Sequence, residues 1–378
     1  MSNTSQTNRR ASLSFMTLDP FVERNIVLPV EKKGRQDVVE WGDGNRYPDF
    51  LLDLYNTVPT LRSIINGNID FITGDEVTIQ PQNGRFSDGM MNASGDSIRE
   101  QVRDIAKDFE IYGGFALQVI RDLTGAVAEI HHLDLRFLRT NEDCNVFYYS
   151  EKWGKGGRDM IVYPAFMPDL DWARLDEDAR NRHASSVLFV KNVRTQVYPA
   201  PLYAASVKAC EIERCIDDFH LNALDNQFVS SAIVNFNNGI PTDEEKEEIE
   251  NDFNEKFSGS RNAGRMIFSW NKTKDTATDI VEFKVEDFGE RYKSLATHSR
   301  TQIFTAFRAI PLLFGLTSEA NTGFSTDEFE QSFKLYNRTQ IRPVQRLIGD
   351  AYDKIFGTSG VLSITPFSID GNAEQIVR

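Results

Sequence analysis

The chain has 378 residues, with 42 Lys and Arg against 56 Asp and Glu, a formal net charge of −14 at pH 7, 40% hydrophobic and 26% charged residues. That length allows two or three units with their own cores, and the composition is that of a globular protein. The acid excess excludes nucleic-acid binding through overall charge and leaves only a local basic patch for it. The three cysteines, Cys144, Cys210 and Cys215, lack CxxC spacing and are expected as packed, reduced thiols.

Residues 1–20 open with MSNTSQTNRRASLS, polar and without an apolar signal region, and are expected as a disordered arm. No apolar run approaches the length of a membrane span. VVEWGDGNRYPDFLLDLY, from Val38 to Tyr55, places a turn before a helix that has Pro48 in its first turn. Leu61, Ile64, Ile65, Ile69 and Phe71 continue at helical spacing, and Gly74 closes that segment before a short strand. Ser97 to Tyr112 predicts a helix with Ile98, Val102, Ile105 and Phe109 on one face. GGFALQVIRDLTGAVAEIHHLDLRFLRT alternates on either side of Thr124-Gly125 and predicts a hairpin. NVFYYSE, DMIVYPAF and SSVLFVKN read as further strands.

At Pro201 the period changes. Leu202, Ala205, Ala209, Ile212, Ile216, Phe219 and Ala223 recur at alternating steps of three and four, a heptad-like stripe on roughly 33 Å of helix. QFVSSAIVNFNN reads as a strand, IPTDEEKEEIENDFNEKFSGS as a helix and RMIFSW as a second strand. Thr242 and Glu245 spell a capping box at the start of that helix, and Ile249, Phe253 and Phe257 line one face. A second long helix is expected from about Gly289 to Ala309, with Tyr292, Leu295, Ile303 and Phe307 as its main apolar residues. Pro311 is expected to break it, ahead of Leu312, Leu313, Phe314 and a polar stretch. Then come a helix from Thr326 to about Tyr336, another entered near Pro343, the strand GVLSITPF and a polar tail. The whole is an α+β chain.

Residues with catalytic potential are few. His131 and His132 are adjacent in a strand pattern and point to opposite faces, while His220 and His298 sit on the long helices. There is no HExxH, GxSxG or Walker A motif. GDGN (Gly42 to Asn45) and SGSRNAG (Ser258 to Gly264) have the glycines to cradle an anion but read as tight turns. The acidic helix Asp243 to Glu255 lacks the ligand spacing of a calcium loop. No catalytic residue, cofactor or metal site is expected.

Several stretches together resemble the portal proteins of tailed bacteriophages. They are WGDGNRYPDFLLDLYNTVPTLRSIINGNIDFITGDEV, IYGGFALQVIRDLTGAVAEIHHLDLRFLRT, VYPAPLYAASVKACEIE, GSRNAGRMIFSW and IFTAFRAIPLLFGL followed by STDEFEQSFKLYNRTQIRPVQRLI. They occur in the family's order, over about residues 38 to 350. The resemblance implies an α/β wing (21–198) after the arm, stem helix 1 (199–226), a strand–helix–strand clip (227–284) and stem helix 2 (285–309). A channel loop (310–325) and wing or short crown helices with a tail (326–378) complete it. Stem packing would use Leu202, Ala205, Ala209, Ile212, Ile216, Phe219, Tyr292, Leu295, Ile303 and Phe307. The clip would use Thr242, Glu245, Ile249 and Phe253, and the channel loop Thr317, Ser318, Glu319, Asn321 and Thr322.

The resemblance also implies a ring, commonly of twelve subunits, at one capsid vertex of the virion, assembled in the host cytoplasm. Double-stranded DNA would pass through it without sequence recognition, driven in by the terminase large subunit and later ejected. Major capsid or scaffold protein and a head–tail adaptor would be its other partners, with no membrane. Two different readings stand beside this one. The chain could be a metal-dependent phage nuclease or hydrolase using Asp43, Asp49, Asp122 and Asp134, or another ring-forming head–tail connector.

Overall fold

The computed structural model describes residues 27–34, 37–81, 84–153, 159–193, 195–225, 232–236, 241–242, 244–246, 266–270, 288–315 and 326–367. The N-terminal arm, most of the acidic helix with Ile249 and Phe253, the SGSRNAG turn, the polar loop after Gly315 and the tail after Phe367 lie outside these residues. The chain divides into two units, one of residues 26–212 with 297–378 and one of residues 1–25 with 213–296.

The larger unit begins with a short hairpin, β1 (Glu31–Lys33) against β2 (Val39–Trp41), antiparallel. Helix α1 (Tyr47–Thr57) carries Pro48 in its first turn, where a missing N–H costs nothing. Val58 is extended, as a residue before proline must be, and so separates α1 from α2 (Pro59–Thr73). Leu61, Ile64, Ile65, Ile69 and Ile72 of α2 are buried. At the end of α2, Gly74 has φ +66° and an added Cβ would lie 2.1 Å from the carbonyl oxygen of Thr365. Only glycine permits that approach.

Helix α3 (Ile98–Tyr112) starts at Ser97, whose hydroxyl and the Glu100 carboxylate form a reciprocal capping box, and stops at Gly113 in the left-handed region. Strand β4 (Gly114–Arg121) follows at once and is the centre of a sheet ordered β5-β4-β9, with β5 at Val127–Leu133 and β9 at Ser185–Lys191. A strand covered on both faces is apolar along most of its length, and Phe115, Ala116, Leu117 and Val119 are all buried. Asp122 sets the β4–β5 turn by accepting from Thr124 N at 2.8 Å and Ala126 N at 3.1 Å. Strands β6 (Leu138–Thr140), β7 (Val146–Tyr149) and β8 (Ile161–Pro164) form a second antiparallel sheet. A bridge between Ala165 and Val187 links the two sheets, and α4 (Glu177–His183) lies between β8 and β9 in the chain.

Helix α5 (Val207–Asp225) and helix α6 (Phe288–Phe307) each cross the boundary between the units in sequence. In the larger unit, Tyr203 stacks on Phe307 at 5.4 Å and the Ser206 hydroxyl donates to the carbonyl of Gln302 at 2.9 Å. The C-terminal segment folds into this same unit. Helix α7 (Thr326–Tyr336) runs through a π turn (Asn337–Ile341) into α8 (Arg342–Phe356), and β12 (Leu362–Thr365) pairs antiparallel with β3 (Glu76–Ile79). Two separate helices were expected here. They form one helical path because the extra residue of the π turn lies just ahead of Pro343, where the i→i−4 ladder has to lose a bond in any case.

In the smaller unit, β10 (Ala232–Phe236) and β11 (Met266–Trp270) pair in parallel. Parallel pairing requires a crossover, and the acidic helix segment falls between them in sequence. Its start is described: Thr242 N donates to Glu245 Oε2 at 2.8 Å and Glu245 N donates to Thr242 Oγ1 at 3.4 Å, the capping box read from the sequence. In the same unit His220 and Tyr292 meet edge to face at 5.8 Å.

The stripe beginning at Leu202 needs correction. Helix α5 starts only at Val207, so Leu202 and Ala205 precede it, and both are exposed. The cause is Tyr203, fully buried with its hydroxyl on the carbonyl of Ile111 at 3.0 Å, which holds 201–206 in successive turns. Ala209 and Ile216 are buried and Ile212 is half-buried, and the side chain of Phe219 is outside the described set. On α6, Ile303 and Phe307 are buried, Tyr292 is half-buried and Leu295 is exposed.

Candidate functional site at the helix hinge

The residues after α6 include one of the few non-glycine positive-φ positions among the described residues. Phe304 to Ala309 close the helix with a paired motif: Arg308 N donates to Thr305 O at 3.1 Å and Ala309 N to Phe304 O at 2.9 Å. Arg308 stands at the left-handed position with φ +51°, where glycine is usual. Pro311 therefore does not end the helix at its own position through its missing N–H, which was the expectation from sequence. The helix has already ended at Phe307, and Pro311 opens a short 3₁₀ turn, Pro311–Phe314, at its first position. The proline acts one step earlier in the chain by holding Ile310 extended, so the helix must close before it.

The turn ends at Gly315, φ +76°, directly before the loop that holds Thr317, Ser318, Glu319, Asn321 and Thr322, all outside the described residues. Leu312, Leu313 and Phe314 are half-buried. Phe314 is the pivot. Its ring lies 6.2 Å from Phe71, 6.0 Å from Phe304 and 5.9 Å from Tyr336, centroid to centroid. It rests on Gly67 of α2, where an added Cβ would stand 2.6 Å from a ring carbon. Glycine inside a helix costs stability, and its use here is to let an aromatic ring from the hinge lie on the helix backbone.

Beneath that ring runs a buried polar chain. Tyr336 OH donates to Asn68 Oδ1 at 2.7 Å, and Asn68 Nδ2 donates to Glu110 Oε2 at 2.8 Å. Glu110 is 2% exposed, and burial pushes its pKa up to about 7, the Asn68 hydrogen bond opposing the shift only in part. The hinge, α2, α3 and α7 thus share one network. The sequence reading missed Gly67, Asn68, Glu110 and Tyr336. Its available signal was Gly67-Asn68, two residues poorly suited to the middle of an otherwise apolar helix.

Each of the four carboxylates weighed as metal ligands is held by a cation or a backbone N–H, with Arg136 serving two of them. Asp43 lies 3.5 Å from both Lys32 and Arg46, Asp49 pairs with Arg136, Asp122 pairs with Arg85 at 2.8 Å, and Asp134 accepts from Arg136 N at 2.9 Å. No group of three or more His, Cys, Asp or Glu able to hold a metal occurs among the described residues. His131 meets Glu129 and His132 meets Asp108, on opposite faces of β5. The GDGN turn is closed around a cation from its own fold. Arg139, buried and lowered to about 10 by burial, donates to Asn45 Oδ1 at 2.8 Å and Asn45 O at 3.0 Å and lies against the rings of Trp41 and Trp153.

No family model and no curated protein matches the chain. Solved structures do. A chain from the neck of an empty gene transfer agent particle, computed with C6 symmetry, is similar with a TM-score of 0.55 and 16% identity, covering 92% of this chain and 87% of that one. A chain from the neck of the native particle, computed with C12 symmetry, has a TM-score of 0.52 and 15% identity over 92% and 87% of the two chains. A HK97-family phage portal protein from Corynebacterium diphtheriae, at TM-score 0.46 and 10% identity over 80% and 88%, is a looser likeness. The chain shares the fold of the neck chains.

Proposed function

We propose that the chain is the subunit of a portal, a ring-shaped head–tail connector of a phage-like particle. One observation carries the reading: the fold is shared over nearly the whole chain with chains from particle necks, one of them computed with C12 symmetry. The order of the portal-like stretches in the sequence points the same way. In the proposed assembly, about twelve copies form a closed ring of the heterologous type, in which one face of each copy meets a different face of the next. Helices α5 and α6 serve as the stem, and residues 227–284 as the clip. Residues 310–325, with Thr317, Ser318, Glu319, Asn321 and Thr322, line the channel. The hinge anchors that loop through Phe314. Duplex DNA moves through the channel without sequence recognition, pushed in by the terminase and released to a tail adaptor. The protein acts as a conduit and performs no chemistry of its own.

Electron microscopy of the purified full chain, with mass determination on the same sample, tests this. A closed ring with a channel wide enough for duplex DNA is the expected result. A stable monomer that remains monomeric with its capsid and scaffold partners present, or Mg²⁺-dependent cleavage of DNA, overturns it.

A further inference from the structure

In a chain of net charge −14, residues 331–349 contain Lys334, Arg338, Arg342 and Arg346 and no Asp or Glu. The four cations recur every fourth residue and all four are exposed. They stand on the α7–π–α8 path, whose other side is buried through Phe333, Tyr336, Ile341, Val344 and Ile348. Lys334 faces Glu330 at 3.5 Å, while Arg338, Arg342 and Arg346 have no ion pair or hydrogen bond to another side chain among the described residues.

The π turn is what keeps them in line. In an α-helix, residues four apart advance by more than one full turn, so a row at that spacing drifts around the axis. A π turn holds more residues per turn, so the same spacing falls short of a turn and the drift is reversed. Arg338 lies within the π turn and Arg342 directly follows it. The result is a straight basic ridge of roughly 18 Å, the length of about five base-pair steps.

We infer that this ridge is a docking line for the phosphate backbone of duplex DNA. An evenly spaced row of one sign matches a uniformly charged polymer. Three of its four members are arginines, whose planar fork suits phosphate oxygens. A membrane-surface helix would need a broad apolar strip beside the charges, and Leu335 is the one large apolar residue exposed among them. Contacts of this kind carry no sequence information, so duplexes of scrambled sequence bind alike. The inference goes beyond the portal reading and does not depend on it: the conduit needs a loop that lets DNA slide, whereas this ridge holds it.

Fluorescence anisotropy of a labelled 30-base-pair duplex with the full chain, from 50 to 200 mM salt, is the test. Each phosphate contact contributes about 0.9 to the slope of log affinity against log salt. The triple variant Arg338→Gln, Arg342→Gln, Arg346→Gln is expected to lower the slope by about 2.7, so the wild type loses about 40-fold more affinity over that range than the variant. A control with the same charge loss elsewhere, Lys32→Gln, Lys152→Gln, Arg174→Gln, is expected to keep the wild-type slope. Arg342→Gln alone, with an expected change of about 0.9, gives a second reading should the triple variant fold poorly. Absence of duplex binding by the wild type at 50 mM salt overturns the inference. So does an equal effect in the control, binding to phosphatidylserine vesicles in place of the duplex, or a triple variant altered only in self-association. A ring whose DNA binding ignores the ridge defeats this inference alone. Ridge-dependent binding by a chain that never forms a ring defeats the portal reading alone.

Discussion

Glu110 is a buried carboxyl whose titration burial moves into the neutral pH range. Its pKa is raised in the folded state, so the folded chain holds the proton more tightly than the unfolded chain does. The stability linked to this group is therefore fully present below the ordinary value of 4.5 and is lost as pH rises through about 7. The shift corresponds to roughly 3 kcal/mol at one pKa unit per 1.36 kcal/mol. Glu110→Gln keeps an oxygen that can accept from Asn68 and removes the charge. Urea midpoints at pH 5 and pH 8 are expected to show the variant gaining on the wild type by up to about 3 kcal/mol at the higher pH. An unchanged difference between the two pH values would mean that Glu110 is not buried as a charge. The raised pKa could not be read from the sequence. Glu110 follows Phe109 on a well-patterned helix, but only the approach of α2 and α7 closes water away from it.

At the scale of elements, the π turn is the feature with the sharpest consequence. It accommodates one residue more than an α-helix of the same span. Deleting Gln340 from it is expected to leave a continuous α-helix with both flanking buried faces in register, at a cost within about 1 kcal/mol. Deleting Arg346 from α8 instead rotates Ile348, Ala351, Tyr352 and Ile355 about 100° off the core and should cost more than about 4 kcal/mol. Circular dichroism melts of the two deletions decide it, and equal losses would refute the π-turn assignment. The capping box of Thr242 with Glu245 was plain in the sequence because capping is local, and the equally local box of Ser97 with Glu100 was missed. The end of α6 was not. The sequence showed Pro311, the obvious breaker, while the closing residue is Arg308, a type that seldom adopts positive φ and does so here because Phe304 and Ala309 are buried on either side of it.

For the whole molecule, the exposed apolar residues of the long helices bear on assembly. Leu221 is 60% exposed and Leu295 40% exposed in the single chain. In the proposed ring both face neighbouring copies. Leu221→Glu with Leu295→Glu is expected to leave the monomer folded, with unchanged far-UV dichroism, and to abolish the ring in native mass spectrometry. A double variant that still assembles would remove α5 and α6 from the subunit contact. Solvent exposure in one chain is the state a ring-forming surface has before assembly, and the double variant tests whether these leucines belong to such a surface.

Local patterns in the sequence carried the α+β class, the Pro48 start of α1, the Gly74 stop of α2, the span of α3, the β4–β5 hairpin and the strand pattern on either side of the acidic helix. Each depends on residues within one or two turns of one another. It also carried the run of cations from Lys334 to Arg346, which is legible as charge alone. Tertiary structure decided the rest. Tyr203 delayed the start of α5 because its hydroxyl reaches a carbonyl on α3. Gly67 found its use under a ring from the hinge, far along the chain. The pairing of β12 with β3 drew the C-terminal helices into the same unit as the N-terminal sheets. Those outcomes depend on which surfaces exclude water together, and no local pattern of residues encodes that.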